Sequence, residues 1–225
     1  MPDEARHRCP WSEGVSVAYL QYHDSEWGVP ARDDATQFEF LVLESAQAGL
    51  SWSTVLHKRA GYKKAFANFD PVRVSRFTPA DIAKLIANPQ IIRNRLKIES
   101  AVSNARAFLE VQSEFGSFSD YIWGFVDGEP VQNRWRTQAQ VPATSPVSDA
   151  LSKDLKYRGF RFVGSTIMYA HMQATGMVND HITACYRHAE VQVANPASRK
   201  SAQPEKTRRK PAARSTARRK PVRGR

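Results

Sequence analysis

The sequence predicts an all-α protein, and three observations carry that expectation. Apolar residues recur at intervals of three and four through most of the chain, while few segments alternate with period two. Helix starts and stops are written out repeatedly, as Asp or Thr ahead of Pro at one end and Gly or Asn-Pro at the other. The 225 residues, 41% of them hydrophobic, are enough for one well-buried domain and a tail.

Residues 1–10 read as irregular, and Val17 to Tyr22 as a short helix or extended piece. The segment His23-Asp24-Ser25-Glu26-Trp27-Gly28-Val29-Pro30 follows as a loop punctuated by Gly and Pro. The next helix starts near Asp33 or Asp34 and runs through Glu44 to Gly49, and Trp52 to Tyr62 continues as helix. Asp70-Pro71 opens a short helix ending near Phe77. Thr78-Pro79-Ala80-Asp81 is a capping box, and the helix it opens stops at Asn88-Pro89. A hairpin from Gln90 to Leu96 leads into a long helix reaching about Gln112, with Ile98, Ala101, Val102, Ala105, Phe108 and Leu109 as its buried stripe. Phe115 to Phe125 holds another short helix. The polar stretch from Asp127 to Pro146, with three prolines, reads as a loop long enough to carry function or mobility. Helices from Ser148 to Tyr157 and Ile167 to Thr175 close the body, and Asn179-Asp180-His181 starts a final turn carrying Cys185.

The formal net charge of +11 invites a nucleic-acid reading, but it is unevenly placed. Of the 33 Lys and Arg, 12 lie between Arg199 and Arg225, against one acidic residue, Glu205, so the 21 basic and 21 acidic residues of the remainder cancel. Residues 1–194 are expected to form the globular domain. Residues 195–225, rich in Lys, Arg, Pro, Ala and Ser, are expected to be a disordered basic tail. No window approaches the ~18 consecutive apolar residues of a membrane span, and the N-terminus lacks the apolar stretch of a secretory signal, so a cytoplasmic protein is expected. Two cysteines do not make a disulfide framework there.

One carboxylate stands out. On a helical period Glu44 shares its face with Phe40, Leu41, Gln47 and Ala48. Burying it there costs on the order of several kcal/mol unless it finds a partner or holds a proton. It is either a core glutamate satisfied by an arginine or backbone group, or an acceptor for a ligand bringing donors or positive charge. Aromatics with polar tips gather in the same half of the chain: Trp11, Tyr19, Tyr22, Trp27 and Trp52. They read either as packing or as walls that stack on a planar ring while Glu44 reads its edge. The segment Ile91-Ile92-Arg93-Asn94-Arg95-Leu96-Lys97 offers cations and helix-start amides to a phosphate, or is solvated surface. His181 and Cys185, at i and i+4, share a helical face, and Cys9 precedes His23 by fourteen residues. Together these four offer a Cys2His2 set suited to tetrahedral zinc. Buried thiols are the alternative, and His7, His57, His171 and His188 are also available as ligands.

Five segments in series carry a resemblance. They are Tyr22-His23-Asp24-x-Glu26-Trp27-Gly28-Val29-Pro30, Leu43-Glu44-x-x-Gln47-Ala48-Gly49-Leu50-Ser51-Trp52, Ile91-Ile92-Arg93-Asn94-Arg95-x-Lys97-Ile98, Arg158-Gly159-Phe160-x-Phe162-Val163-Gly164-x-Thr166 and Val178-Asn179-Asp180-His181. Over about residues 8–187 the chain resembles the 3-methyladenine DNA glycosylase I family. The resemblance implies a helix-hairpin-helix glycosylase fold that acts as a monomer on double-stranded DNA containing alkylated adenine. It implies that 3-methyladenine is flipped out and its N-glycosidic bond hydrolysed, leaving an abasic site. It also implies one structural zinc on Cys9, His23, His181 and Cys185. Carried over position by position, Glu44 is the catalytic carboxylate and Tyr22 and Trp52 bind the base, with Trp11 and Trp27 alongside. Gly49 and Leu50 enter the DNA stack, and the hairpin residues Arg93, Asn94, Arg95 and Lys97 grip the phosphate backbone. Two departures stand out: the glycine-rich hairpin of helix-hairpin-helix proteins at large is absent, with Leu96 where small residues are common, and no aspartate follows the hairpin, where Ile98, Glu99 and Ser100 stand instead. The rival reading is a DNA-binding protein that recognises an adduct without chemistry; a second rival is a broader glycosylase that also removes 3-methylguanine or 7-methylguanine.

Overall fold

The computed structural model describes residues 6–193, so the basic tail and the domain boundary expected at residue 194 lie outside the described residues. After a 3-10 turn at Pro10–Ser12, the chain forms helices α1 (Val17–Ser25), α2 (Asp34–Gln47), α3 (Trp52–His57) and α4 (Arg59–Ala65). Helices α5 (Pro71–Val74), α6 (Pro79–Ala87), α7 (Arg95–Phe115) and α8 (Phe118–Trp123) follow. Helices α9 (Pro146–Tyr157), α10 (Ser165–Ala174) and α11 (Tyr186–Val193) complete the body. No helix among the described residues is long and apolar enough to cross a membrane.

Helix α2 is the axis. Asp33 caps it by accepting from the Thr36 amide at 2.8 Å, and α7, α8 and α10 pack around it. Its first residue, Asp34, reaches across to accept from Gln112 Nε2 and from the amides of Phe118 and Ser119, tying α2 to the end of α7 and the start of α8. Phe38 meets Phe108 edge-on at 5.1 Å, and Phe108 stacks on Phe118 at 4.2 Å, so one column of rings joins the three helices.

The expected capping signals operate: Asp70 accepts from the Val72 and Arg73 amides, and Thr78 and Asp81 close a reciprocal box. The body is mostly helical, as expected, and three details differ. The helix foreseen from Trp52 to Tyr62 is broken at Lys58, where the backbone (φ −97°, ψ 0°) ends α3 before α4 restarts. The all-α reading overlooks a two-residue parallel bridge in which Val131 and Gln132 pair with Val178 and Asn179. Two-residue strands are too short to show alternation, and the long-range pairing that creates them is invisible to local pattern. The final turn is followed by a separate helix, α11, that the sequence pattern did not mark.

The bridge anchors the 127–146 segment to the body. Asp180, almost fully buried, accepts from Asn133 Nδ2 and Trp135 Nε1 on that segment and from Tyr169 Oη and Gln173 Nε2 on α10, all at 2.7–2.8 Å. Four donors offset the desolvation of one carboxylate.

Candidate base pocket, DNA rim and metal cluster

Glu44 occupies the last full turn of α2 and is 4% exposed. No group among the described residues donates to its carboxylate, and burial alone pushes its pKa up to about 8. The obvious cation is engaged elsewhere: Arg59 bonds Glu39 at 2.7 Å and Glu26 at 2.6 Å, with its guanidinium 5.5 Å from the Phe40 ring centre. Glu44 is therefore not a core glutamate satisfied by a neighbour.

It opens on two adjoining hollows. One, of about 180 Å³, is walled by Trp11, Tyr19, Tyr22, Trp27 and Trp52, with Gln47, Gln138 and Gln173 adding amides. The other, of about 190 Å³, lies between Gln47–Leu50 and the start of α10 at Thr166 and Ile167. The walls are set by ring packing. Trp11 stands edge-on to Trp27 at 4.9 Å and to Tyr19 at 5.4 Å, while Tyr22 tilts against Trp52 at 5.3 Å. Trp52 begins α3 behind the cap Ser51 and is also stacked with Phe40 at 6.4 Å. Its indole Nε1 is buried without an acceptor among the described residues. Burial, reinforced by Glu44, holds the Tyr22 phenol well above its ordinary range. A carboxylate that is unpaired among the described residues thus borders a space lined with flat rings, which suits a planar heterocycle carrying donors or positive charge.

All six aromatic and acidic residues singled out for the pocket, Tyr19 included, line that one hollow. Gln138 and Gln173 were not foreseen. A glutamine has no periodic signature, and only the position of Gln138 in the long 127–146 segment hinted at it.

Gly49 and Leu50 form the lip beside the second hollow. Ala48 (φ −41°, ψ 114°) and Gly49 (φ 76°) are the middle residues of a type II turn closed by Leu50 N–H to the Gln47 carbonyl. The turn requires a positive φ at its third residue, which glycine supplies without strain. It lifts Leu50 to 42% exposure at the mouth of the hollow.

The hairpin between α6 and α7 sits on α4. The Tyr62 hydroxyl accepts from the Ile92 amide at 3.2 Å, and Lys58 Nζ donates to the Pro89 carbonyl at 2.7 Å. Arg93 and Arg95 are exposed there. Asn94 is spent as the cap of α7, accepting from the Lys97 amide at 3.1 Å. Lys97 departs from the expected phosphate grip: its ammonium donates to the Ala46 and Ala48 carbonyls at 2.8 and 2.6 Å, turned inward to the end of α2.

Behind the Trp11–Trp27 wall, Cys9, His23, His181 and Cys185 are all buried, with their ligating atoms within 4.8 Å of one another. The His181 Nδ1 atom lies 3.5 Å from Cys9 Sγ and 3.6 Å from Cys185 Sγ, and His23 Nε2 lies 3.5 Å from Cys185 Sγ. Those edges fit a tetrahedron with metal–sulfur bonds of ~2.3 Å and metal–nitrogen bonds of ~2.0–2.1 Å. The other ring nitrogens are held as metal-bound histidines require. His23 Nδ1 donates to Asp24 at 2.8 Å, and His181 Nε2 donates to the Trp27 carbonyl at 3.0 Å. Burial works against the Asp24 carboxylate, but hydrogen bonds led by Arg8 hold its pKa down to about 2. The donor set fits a metal ion.

Fold and site together define a helical protein with a carboxylate-bearing ring pocket, a basic hairpin and a metal-competent cluster at its back. The methyladenine glycosylase family profile matches residues 11–188. The chain is 46% identical over 178 residues to DNA-3-methyladenine glycosylase 1 of Escherichia coli (strain K12), covering 79% of this chain and 95% of that one. A crystal structure of 3-methyladenine DNA glycosylase I matches with a TM-score of 0.78 at 48% identity, over 80% of this chain and 98% of the other. A variant of such an enzyme, solved with 3-methyladenine bound, matches with a TM-score of 0.77 at 35% identity, over 80% and 96%. The chain belongs to the methyladenine glycosylase family, a family of hydrolases acting on N-glycosyl bonds.

Proposed function

We propose that this protein removes 3-methyladenine from alkylated double-stranded DNA by flipping the damaged nucleotide into the aromatic hollow and hydrolysing its N-glycosidic bond. One observation carries the reading: Glu44 is a buried carboxylate without a partner among the described residues, at the edge of a space walled by Trp11, Tyr22, Trp27 and Trp52.

Methylation at N3 makes the attached adenine cationic, so it is already a good leaving group. Extruding it costs roughly a few kcal/mol, less at a damaged pair. Stacking on an aromatic wall returns ~1–3 kcal/mol per base. The incoming cation brings Glu44 the positive charge and N–H donors it lacks, and the carboxylate ionises to meet them. The C1′–N9 bond then breaks with its electron pair passing to the ring, cancelling the ring's charge. Water adds to C1′ and gives up a proton. Free base and an abasic site result. The sugar passes through an oxocarbenium-like state by analogy with glycoside cleavage, and selectivity rests on the pocket's electrostatics.

Leu50, raised on its turn, is the residue that fills the gap left in the stack, and Arg93 and Arg95 grip the phosphates. The ion held by Cys9, His23, His181 and Cys185 is a structural zinc, since four protein ligands leave no position for substrate. The protein works as a monomer in the cytoplasm.

The test is incubation of the purified chain with methylated duplex DNA and chromatography of the released bases. Release of 3-methyladenine is expected, with 3-methylguanine and 7-methylguanine counted in the same run. Protein that binds methylated DNA yet releases no base would leave adduct recognition without chemistry as the function.

A further inference from the structure

The last carbonyls of a helix have no partner within the helix. At the end of α2 the Gln47 carbonyl is taken by Leu50 N–H, closing the type II turn. The Ala46 and Ala48 carbonyls are taken by a side chain from another element, the Lys97 ammonium on α7, at 2.8 and 2.6 Å. One acceptor, Ala46, lies in the helix just before the turn, and the other, Ala48, is the turn's second residue. An ammonium at this point also meets the negative end of the α2 dipole. Lys97 lies three residues beyond Asn94, the cap that ends the hairpin. The phosphate-facing hairpin and the lip bearing Leu50 are therefore joined through one side chain.

We propose that Lys97 is a positioning residue that fixes the Gly49–Leu50 turn relative to the Arg93–Arg95 hairpin, so that gripping the backbone and inserting Leu50 occur in one register. This rests on reading Leu50 as the residue that enters the stack. A compact ammonium with several rotatable donors suits two carbonyls at different angles, where a planar guanidinium fits less well. The alternative is the role given by resemblance, a direct phosphate contact.

The experiment uses the full chain as wild type, Lys97→Met, Lys97→Arg, Leu50→Ala and the Lys97→Met/Leu50→Ala pair. Three readouts are taken: single-turnover release of 3-methyladenine from a methylated duplex, binding of free 3-methyladenine, and the salt dependence of binding to undamaged duplex. Lys97→Met is expected to slow release by about tenfold or more while affinity for the free base stays within about twofold, and Lys97→Arg is expected to recover part of the rate. Because Lys97 acts through Leu50, adding Lys97→Met to Leu50→Ala should slow release no further. The salt slope should be unchanged. A slope shallower by roughly 0.9, the signature of one lost phosphate contact, would overturn the proposal. So would fully additive effects in the double variant. Leu50→Ala cutting at the wild-type rate would sink both this inference and the stack-filling role, whereas a wild-type chain that releases no base would sink the glycosylase reading itself. Should Lys97→Met prove unfolded, Lys97→Gln, which keeps a donor, is read in the same cycle.

Discussion

The rings of Trp27 and His181 meet edge to face with centroids 4.6 Å apart, and His181 Nε2 donates to the Trp27 carbonyl. Trp11 packs in the same way on His23, at 5.1 Å. A wall of the aromatic hollow is thus built on the histidine rings of the Cys/His cluster. Gly28 shows how tight the arrangement is: it sits at φ 79°, and a Cβ there would press on the His181 ring at 3.1 Å.

This geometry predicts that an ion bound by the cluster supports the pocket as well as the fold. One zinc per chain is expected by metal analysis. Stripping it with a strong chelator, or Cys185→Ala, should lower Tm, shift tryptophan fluorescence and weaken binding of free 3-methyladenine together. Freshly purified protein without bound metal would end the idea of a zinc site. Metal-free protein that stays folded with full base affinity would show that Trp11 and Trp27 hold their places unaided.

The Glu44 pKa of about 8 sets two pH dependences of opposite sign. Its folded value is raised above the ordinary carboxylate value of 4.5, so folding favours the protonated form. The protonated group is tolerated fully below the unfolded value, and stability is lost as pH rises from there through about 8. At ~1.4 kcal/mol per unit, the accumulated loss is on the order of several kcal/mol. Glu44→Gln should therefore match wild type in Tm near the low end of that window and exceed it increasingly toward pH 8. Excision runs the other way. The ionised carboxylate is the form that meets the cationic base, so the second-order rate of release, measured with enzyme well below saturation, should rise with pH through about 8. Glu44→Gln should flatten that rise and lose roughly 10–150-fold in rate, the equivalent of one charge-assisted hydrogen bond. A folded Glu44→Gln enzyme within twofold of wild type would reduce Glu44 to a spacer.

Local chemistry explains why much of this was legible beforehand. Capping boxes and Asp-Pro starts act over one helical turn, and the sequence displays them directly; His181 and Cys185, expected on one helical face, lie instead in the turn that precedes α11. The isolation of Glu44 on an apolar face was equally local, though whether Arg59 would satisfy it was not: Arg59 chooses Glu26 and Glu39 through tertiary placement. What stayed hidden depends on distant partners. The bridge of Val131 with Val178, the arrival of Gln138 at the pocket and the inward turn of Lys97 each join segments more than about forty residues apart.

The tail from Arg199 to Arg225 carries the whole net charge of the chain. Truncation after Ala194 should leave release of 3-methyladenine from short duplexes largely intact. It should weaken binding to undamaged DNA, most at low salt, because the tail's charge acts through counterion release. An unchanged salt slope after truncation would show that the tail does not contact DNA.

Gly61 offers a test of the hairpin's seating that leaves the pocket untouched. It lies in α4 where the Gln90 backbone passes over it, and a Cβ there would run into the Gln90 carbonyl. Alanine in a helix interior is favoured over glycine by ~1 kcal/mol. Forcing a backbone carbonyl aside in a packed site costs typically ~1–3 kcal/mol. The cost outweighs the gain, because the obstacle is main chain, pinned on either side by Lys58 on Pro89 and Tyr62 on Ile92. Gly61→Ala should therefore lower Tm modestly and displace the hairpin bearing Arg93 and Arg95. No residue of α4 or of 88–94 lines either hollow, so affinity for free 3-methyladenine should hold while affinity for duplex DNA and the excision rate fall. Calorimetry for the free base and single-turnover release from duplex, run on the same preparation, separate the two. Equal losses in both would mean that the pocket is strained along with the hairpin. A variant as stable and active as wild type would mean that the hairpin can lift off α4 without consequence, and that its seating does not control DNA binding.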